Sequence, residues 1–498
     1  MMIKRTASKT GRALKRLAAG ALAAAVLTIP AAAAAPDDSI LIPQIGTAGV
    51  QGITVQKEMA IGEFFMRTAR SQLNVLDDPV LSEYVTTLGN RLLAHADHVN
   101  FPFTFFVVND PSLNASAFLG GKVAINTGLF NYAMTEDEFA SVIAHEISHV
   151  TQRHIARFVE SMTVTSQLSM AGMIGSIVMS ILNPALGMAA LSTTMGAQMQ
   201  SRINFTRDNE YEADRLGIAL LYKSGMNPYG AVDMFKRLLA QQGNINPAFT
   251  LLIDHPLSDI RVAEAQNRAQ IYGRRDNSSN ADYFMAQARI AVRFSGHKDK
   301  ADFQKLREVI KANVDKRPKA YVNYALALTE YELENYESAL SYLDRLPVNK
   351  NTSLFVLDLK TDIDLKRGHE AQAIERLQAR YRVMPRNQVI VANLASALIE
   401  NRQLTRARSV LNNYLRLRPD DLLALSLLEK TQRELKDKCE ALQTRGEIYA
   451  QSAAYQQSIG IYGQALRECT QELTRERIKA RVAEISMQRS FDEALLSQ

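Results

Sequence analysis

The chain is poor in cysteine: of 498 residues only Cys439 and Cys469 carry a thiol, both far from the start. No cysteine therefore stands behind the leader to take a lipid anchor. An excess of charge is also missing. Six of the 58 basic residues, Lys4, Arg5, Lys9, Arg12, Lys15 and Arg16, fall in the first 16 positions, and the rest of the chain holds 52 basic against 52 acidic residues. Such a balance offers no basic patch, so no nucleic-acid partner is expected. Long apolar runs are lacking too. Leu17 to Ile29 is short of the roughly 20 residues a spanning helix needs. Between Glu160 and Arg202 there is no charged residue at all, yet the most apolar part, Met170 to Leu182, is again short, and Asn183-Pro184 interrupts it.

What is present begins with a leader. Basic residues, an uncharged apolar run and the small residues Ala31 to Ala35 form the three-part layout of a secretory signal peptide, here 1–35. Export to an oxidising compartment favours pairing of Cys439 with Cys469, the alternative being two separate buried thiols. The uncharged segment reads as a helical hairpin, buried or lying on a surface. Its methionines suit varied apolar partners, which leaves open a mobile flap over the active site or a peripheral membrane contact.

A chain of this length exceeds one hydrophobic core, and two domains are expected. Glu58 to His95 shows apolar residues at helical spacing and reads as two helices. Phe103 to Val108 and Gly120 to Asn126 read as strands of a small sheet, joined by a loop containing Asn114 and Phe118. Thr135 to Phe158 reads as one helix, with Thr135 and Glu138 placed for a capping box. From about Ala281 the texture is amphipathic helix alone. There Ala339, Ala373 and Ala407 recur every 34 residues, as do Pro385 and Pro419, which is the tetratricopeptide period. Ala327 and Ala395 stand twelve before Ala339 and Ala407, while Pro347 and Thr361 depart from the pattern. Such solenoids present a concave surface to peptides or proteins.

The chemistry is concentrated in His145-Glu146-Ile147-Ser148-His149. Two histidines four apart project from one helical face and can share a tetrahedral Zn²⁺. Glu146 lies about 100° around from His145, within reach of a water as a general base without being a ligand. The apolar flanks Phe139, Val142, Ile143, Ile147 and Val150 bury this helix, and a buried polar face needs partners. A third ligand is required. His154 follows His149 by five, not six, and no glycine stands at Gln152, so it is expected to be structural or to support a ligand. In Arg207 to Asp214, Glu210 and Asp214 share a helical face: Glu210 can bind the metal while Asp214 accepts the ring N–H of His145. Spacing alone leaves Glu212 open beside Glu210. Ala213 and Gly217, also four apart, would let this helix approach the first closely.

The leader, the HEISH helix with Arg153-His154, the NEYEAD segment, Asp254-His255-Pro256 and the repeats together resemble metallopeptidase family forty-eight, in its beta-barrel assembly-enhancing branch. The resemblance implies an α+β fold: a helical zinc metalloprotease domain with a small sheet, 36–275, followed by an all-α tetratricopeptide-repeat solenoid, 276–498. It implies His145, His149 and Glu210 as zinc ligands, Glu146 as general base, Asp214 as support for His145, and His255 as a self-inhibitory fourth ligand, which the residues by themselves do not suggest. The strand matching Gly121 to Asn126 would lie beside the cleft, where an extended substrate could add. The resemblance further implies a periplasmic protein that degrades misfolded or stalled outer-membrane proteins and meets the outer-membrane assembly machinery through its repeats. A chaperone or assembly scaffold with secondary proteolysis is the alternative.

Overall fold

The computed structural model describes residues 53–163, 199–241, 255–275 and 280–497. The expected signal peptide and most of the uncharged segment, Met170 to Leu182 included, lie outside the described residues. Among the described residues, no helix is long and apolar enough to cross a membrane.

Helix α1, Val55–Gln72, is opened by Thr54, whose side chain accepts from the Lys57 N–H, and it buries Ile61, Phe64, Phe65 and Ala69. Helix α2, Pro79–Leu93, starts with proline where a missing N–H costs nothing, capped by Asp78 on the N–H groups of Val80 and Leu81. Three strands follow, β1 (Thr104–Val108), β2 (Ala115–Phe118) and β3 (Lys122–Asn126), in the order β1-β3-β2. β1 runs parallel and β2 antiparallel to β3.

The sheet differs from the expected one. The loop holding Asn114 and Phe118 contributes a third strand. The last strand begins at Lys122, because Gly120 and Gly121 take φ of +70° and +75°. At each of them a Cβ would come within 2.7 Å of a backbone carbonyl, so the corner requires glycine. β3 is therefore central, with both backbone edges paired, and cannot accept a further strand. β1 and β2 form the two edges: β1 is met on its outer side by Val75 and Leu76, whereas β2 packs on the helix that carries the histidines.

That helix follows α3 (Thr127–Tyr132) and is α4, Glu136–Thr151. Thr135 accepts from the Glu138 N–H, but the Glu138 carboxylate reaches the N–H of Met134 rather than that of Thr135, a capping box displaced by one residue. The expected helix to Phe158 breaks at Arg153, which takes φ +55° with its guanidinium on Glu58, 2.6 Å away, and on the Ile53 carbonyl. Helix α5, His154–Thr163, then starts in a new direction. Helices α6 (Met199–Lys223), α7 (Tyr229–Gln241) and α8 (Asp259–Tyr272) complete this part. α6 crosses α4 closely: Ala213 is fully buried, and a Cβ at Gly217 would lie 3.2 Å from the His145 backbone nitrogen.

From residue 281 the described chain is helical throughout. α9 is Ala281–Arg293, α10 Lys300–Ala312, α11 Lys319–Glu332, α12 Tyr336–Asp344, α13 Leu354–Lys366, α14 Glu370–Val383, α15 Gln388–Glu400, α16 Leu404–Leu415, α17 Leu422–Glu434, α18 Lys438–Ala450, α19 Tyr455–Glu468 and α20 Glu472–Ser497. Ala339, Ala373 and Ala407 are fully buried. The backbone carries the same period: Glu334, Gly368, Arg402 and Lys436, each 34 from the last, all take positive φ at the turn between paired helices. Thr361 stands where Ala327 and Ala395 stand in other repeats. It is fully buried, and its hydroxyl donates to the Leu357 carbonyl of its own helix, 2.7 Å away. Cys439 and Cys469 are joined as a disulfide.

One core runs from the mixed part into the solenoid. The Phe130 and Phe139 rings lie 4.2 Å apart, Tyr283 of α9 packs 5.4 Å from Phe139, and Phe355 of α13 is 6.4 Å from Tyr84 of α2. Beside them Arg289 is fully buried between Asp78, the α2 cap, and Asp358 of α13, each 2.8 Å away. The first and last described helices also meet: Arg67 of α1 pairs with Asp492 of α20 at 2.9 Å and donates to the Tyr455 hydroxyl, while Arg70 reaches Asp420 at 3.0 Å.

Candidate active site

Helix α4 is buried along nearly its whole length because Phe139, Ile143 and Ile147 face the core, each contributing about 1.5–3 kcal/mol. The i, i+4 pair His145 and His149 then emerges on one face, with the Nε2 atoms 2.9 Å apart. Helix α6 brings Glu210 against them: its carboxylate oxygens lie 3.4 Å from His145 Nε2 and 3.4 Å from His149 Nε2. One turn further, Asp214 sits 3.0 Å from His145 Nδ1. His255, just ahead of α8, completes the group, with Nδ1 3.0 Å from Glu210 and 3.3 Å from His145 Nε2.

His145, His149, Glu210 and His255 offer one donor atom each within 4.8 Å of one another, an arrangement able to hold a metal ion. The donor set, imidazole nitrogen with one carboxylate, is the kind that suits zinc and its neighbours rather than calcium or magnesium. The field also calls for positive charge. Burial works against a charged His145, yet hydrogen bonds with Asp214 and Glu210 outweigh it and push the imidazole up to about 10. A cation among these side chains would take the place of that proton. Burial, reinforced by the neighbouring His145, holds His149 neutral, well below the usual histidine range. Burial would raise Glu210, but the surrounding histidines keep it ionised far below the usual carboxylate range.

Glu146, between the two histidines on α4, lies beside the same cluster. Its Oε2 accepts the N–H of Ala117 on β2 at 2.8 Å, and its Oε1 lies 3.4 Å from His255 Nε2. Burial pushes its carboxyl up, with His255 and His145 opposing. The acid beside the cluster is thus tied to β2, one of the two edge strands. Glu212, left open by spacing, faces away: it lies 3.1 Å from His154 Nε2 and 2.8 Å from Arg157. His154 in turn has Nδ1 2.8 Å from His149 Nδ1.

Arg261 escaped sequence reasoning. It is the third residue of α8, capped by Ser258, and its fork spans both carboxylates: 2.7 and 2.8 Å to Asp214, 3.0 Å to Glu210. It also donates to the Pro256 carbonyl at 2.7 Å, beside His255. No spacing rule links positions 47 residues apart. The available signal was chemical: two acids buried on one helical face demand a cation.

Residues 79–269 match peptidase family M48. Over 449 residues the chain is 35% identical to the beta-barrel assembly-enhancing protease of Yersinia pestis, which covers 89% of this chain and 92% of that protein. It is 35% identical over 454 residues to the protein of that name from Escherichia coli K12, with 91% and 93% covered. A putative beta-barrel assembly-enhancing protease of Vibrio cholerae is 36% identical over 458 residues, with 92% and 94% covered. The paired histidines and glutamate of α4 and α6 fall inside the matched region, and the likeness extends through the helical repeats: the chain belongs to the beta-barrel assembly-enhancing proteases of peptidase family M48 and is a metalloendopeptidase.

Proposed function

We propose that this chain is a periplasmic zinc metalloendopeptidase, exported by the leader 1–35, that degrades misfolded or stalled outer-membrane proteins during their assembly. One zinc ion per chain would be held by His145, His149 and Glu210. The convergence of these three side chains beside a glutamate bound to an edge strand is the observation that carries the reading. When bound, zinc supplies polarisation of a peptide carbonyl and makes a water easier to deprotonate.

The protein's own part follows from the side chains. Glu146 takes the water's proton and delivers it to the leaving amine, its Oε2 anchored by the Ala117 N–H while Oε1 faces the cluster. Asp214 accepts the Nδ1–H of His145 and so leaves Nε2 as the donor atom. An extended substrate lies along the outer edge of β2, the strand nearest Glu146, which selects unfolded segments over folded ones. His255 occupies the position beside Glu146 and Glu210 that a substrate carbonyl would need, which supports a resting state held shut.

The protease part is assigned to 36–275 and the recruiting repeats to 276–498, where they would meet substrates and the outer-membrane assembly machinery. The rival reading is a chaperone or scaffold whose proteolysis is secondary. Glu146→Gln separates the two. With an unfolded outer-membrane barrel protein as substrate, the variant and the chelator-treated wild type should both leave it intact, while untreated wild type cleaves it. Equal clearance of stalled substrate by Glu146→Gln would defeat the enzymatic role.

A further inference from the structure

His149 differs from its partner on α4 in what stands behind it. His145 has a carboxylate, Asp214, at its Nδ1. His149 has another imidazole: Nδ1 of His154 lies 2.8 Å from Nδ1 of His149. The other nitrogen of His154 is 3.1 Å from Glu212 Oε2, and the same oxygen accepts from Arg157 at 2.8 Å. His154 is buried, whereas Glu212 and Arg157 reach the surface. The chain of contacts thus runs from the metal-binding cluster outward across α4, α5 and α6.

One assignment of protons satisfies every contact in it. His149 Nε2 faces His145 and Glu210, so as a ligand atom it must offer a lone pair, and the proton of the neutral ring sits on Nδ1. That N–H then donates to His154 Nδ1, which must be bare. The single proton of His154 is therefore on Nε2, where the ionised Glu212 accepts it. Reversing either ring would set two N–H groups, or two lone pairs, against each other at 2.8 Å. Arg157 fixes the carboxylate that ends the series.

We propose that His154 is a positioning residue for His149, accepting its Nδ1–H and relaying the charge of Glu212 to it, as Asp214 does directly for His145. The inference rests on the reading of His149 as a zinc ligand. It explains why the helix breaks at Arg153. A continuous α4 would carry the residue five beyond His149 around to a different face, about 140° away, whereas the positive φ of Arg153 turns His154 back against the ring.

The test is zinc affinity of the full chain, measured by competition with a chelator for wild type, His154→Leu and His154→Gln. Leucine fills the space without an acceptor, while the glutamine amide offers both a carbonyl oxygen to His149 and an N–H to Glu212. Leucine should weaken zinc binding about 10–100-fold and glutamine should stay within about threefold of wild type. Affinity unchanged in the leucine variant, or lost equally in both, overturns the proposal. If wild type takes up no zinc, it is the zinc reading that fails instead. Should the leucine variant not fold, ¹⁵N-histidine spectra of the zinc-loaded wild type decide, with His154 identified by the signal missing from His154→Gln. A proton on Nε2 supports the relay, and one on Nδ1 overturns it.

Discussion

One oxygen of Glu210, Oε1, lies 3.0 Å from His255 Nδ1 and 3.4 Å from His149 Nε2. His255 therefore stands inside the donor set, not behind it, and its second nitrogen faces Glu146. Replacing it with alanine should open the site. His255→Ala is expected to raise basal cleavage of an unfolded protein severalfold at unchanged zinc content. Lower or equal activity with zinc retained would count against a plug.

Arg261 holds two buried carboxylates and the backbone next to His255 with one fork. Arg261→Met takes from Glu210 and Asp214 the guanidinium that both of them face, and about 3–5 kcal/mol of stability should be lost. Arg261→Lys keeps the charge but not the planar fork, so denaturant melts should recover part of that stability, while kcat remains well below wild type. Full activity in the lysine variant would show that charge alone suffices.

Asp358 offers a pH test remote from the metal centre. Burial would raise its carboxyl, but Arg289 at 2.8 Å and Arg293 at 3.8 Å outweigh this and hold it well below the usual range. A carboxylate depressed in the folded state gives stability that is complete above its unfolded pKa, near 4, and is lost as pH falls toward the folded value. Asp358→Asn should therefore be less stable than wild type at pH 7, by about 3–5 kcal/mol for the half-stripped Arg289. Urea unfolding below about pH 4 should show a shallower acid decline in the variant. Parallel curves would mean that Asp358 is not the titrating group.

The disulfide closes 30 residues around α18 and α19. Chain entropy gives such a loop about 3–4 kcal/mol. Cys439→Ser with Cys469→Ser should unfold this end of the solenoid at lower denaturant, seen as faster amide exchange in α18 to α20, while hydrolysis of a short peptide stays at the wild-type rate. Slowed peptide hydrolysis would tie this end of the solenoid to the active site.

Much of this architecture could be read from spacing. The intervals of four put His145 with His149 and Glu210 with Asp214 on common faces, and Ala213 with Gly217 explains how α6 comes so near α4. The 34-residue recurrence of small residues is the solenoid itself. What escaped depends on contacts far apart in sequence. Ala115 to Phe118 has little intrinsic strand character, and becomes a strand because β3 lies beside it. Arg153 breaks the helix without any glycine or proline to announce it, since the left-handed turn is held by a side chain reaching Glu58. His255 had no local signature and entered through family resemblance alone. The common core of Phe139, Tyr283 and Phe355 is invisible to composition because helices on either side of residue 275 are apolar for the same reason.

The meeting of Arg67 with Asp492 has a mechanical consequence. A free solenoid behaves as a spring, each repeat touching its neighbours and adding a little to the stretch. This one is fastened at its start by Arg289 on Asp78, further along by Arg70 on Asp420, and at its end by Arg67 on Asp492, so α1 and α2 brace it at several repeats. A guest that needs the coil to widen must first loosen these braces, and a pull on α20 is passed through Arg67 to α1, whose Phe64 and Phe65 pack beneath the sheet on Phe106 and Phe118.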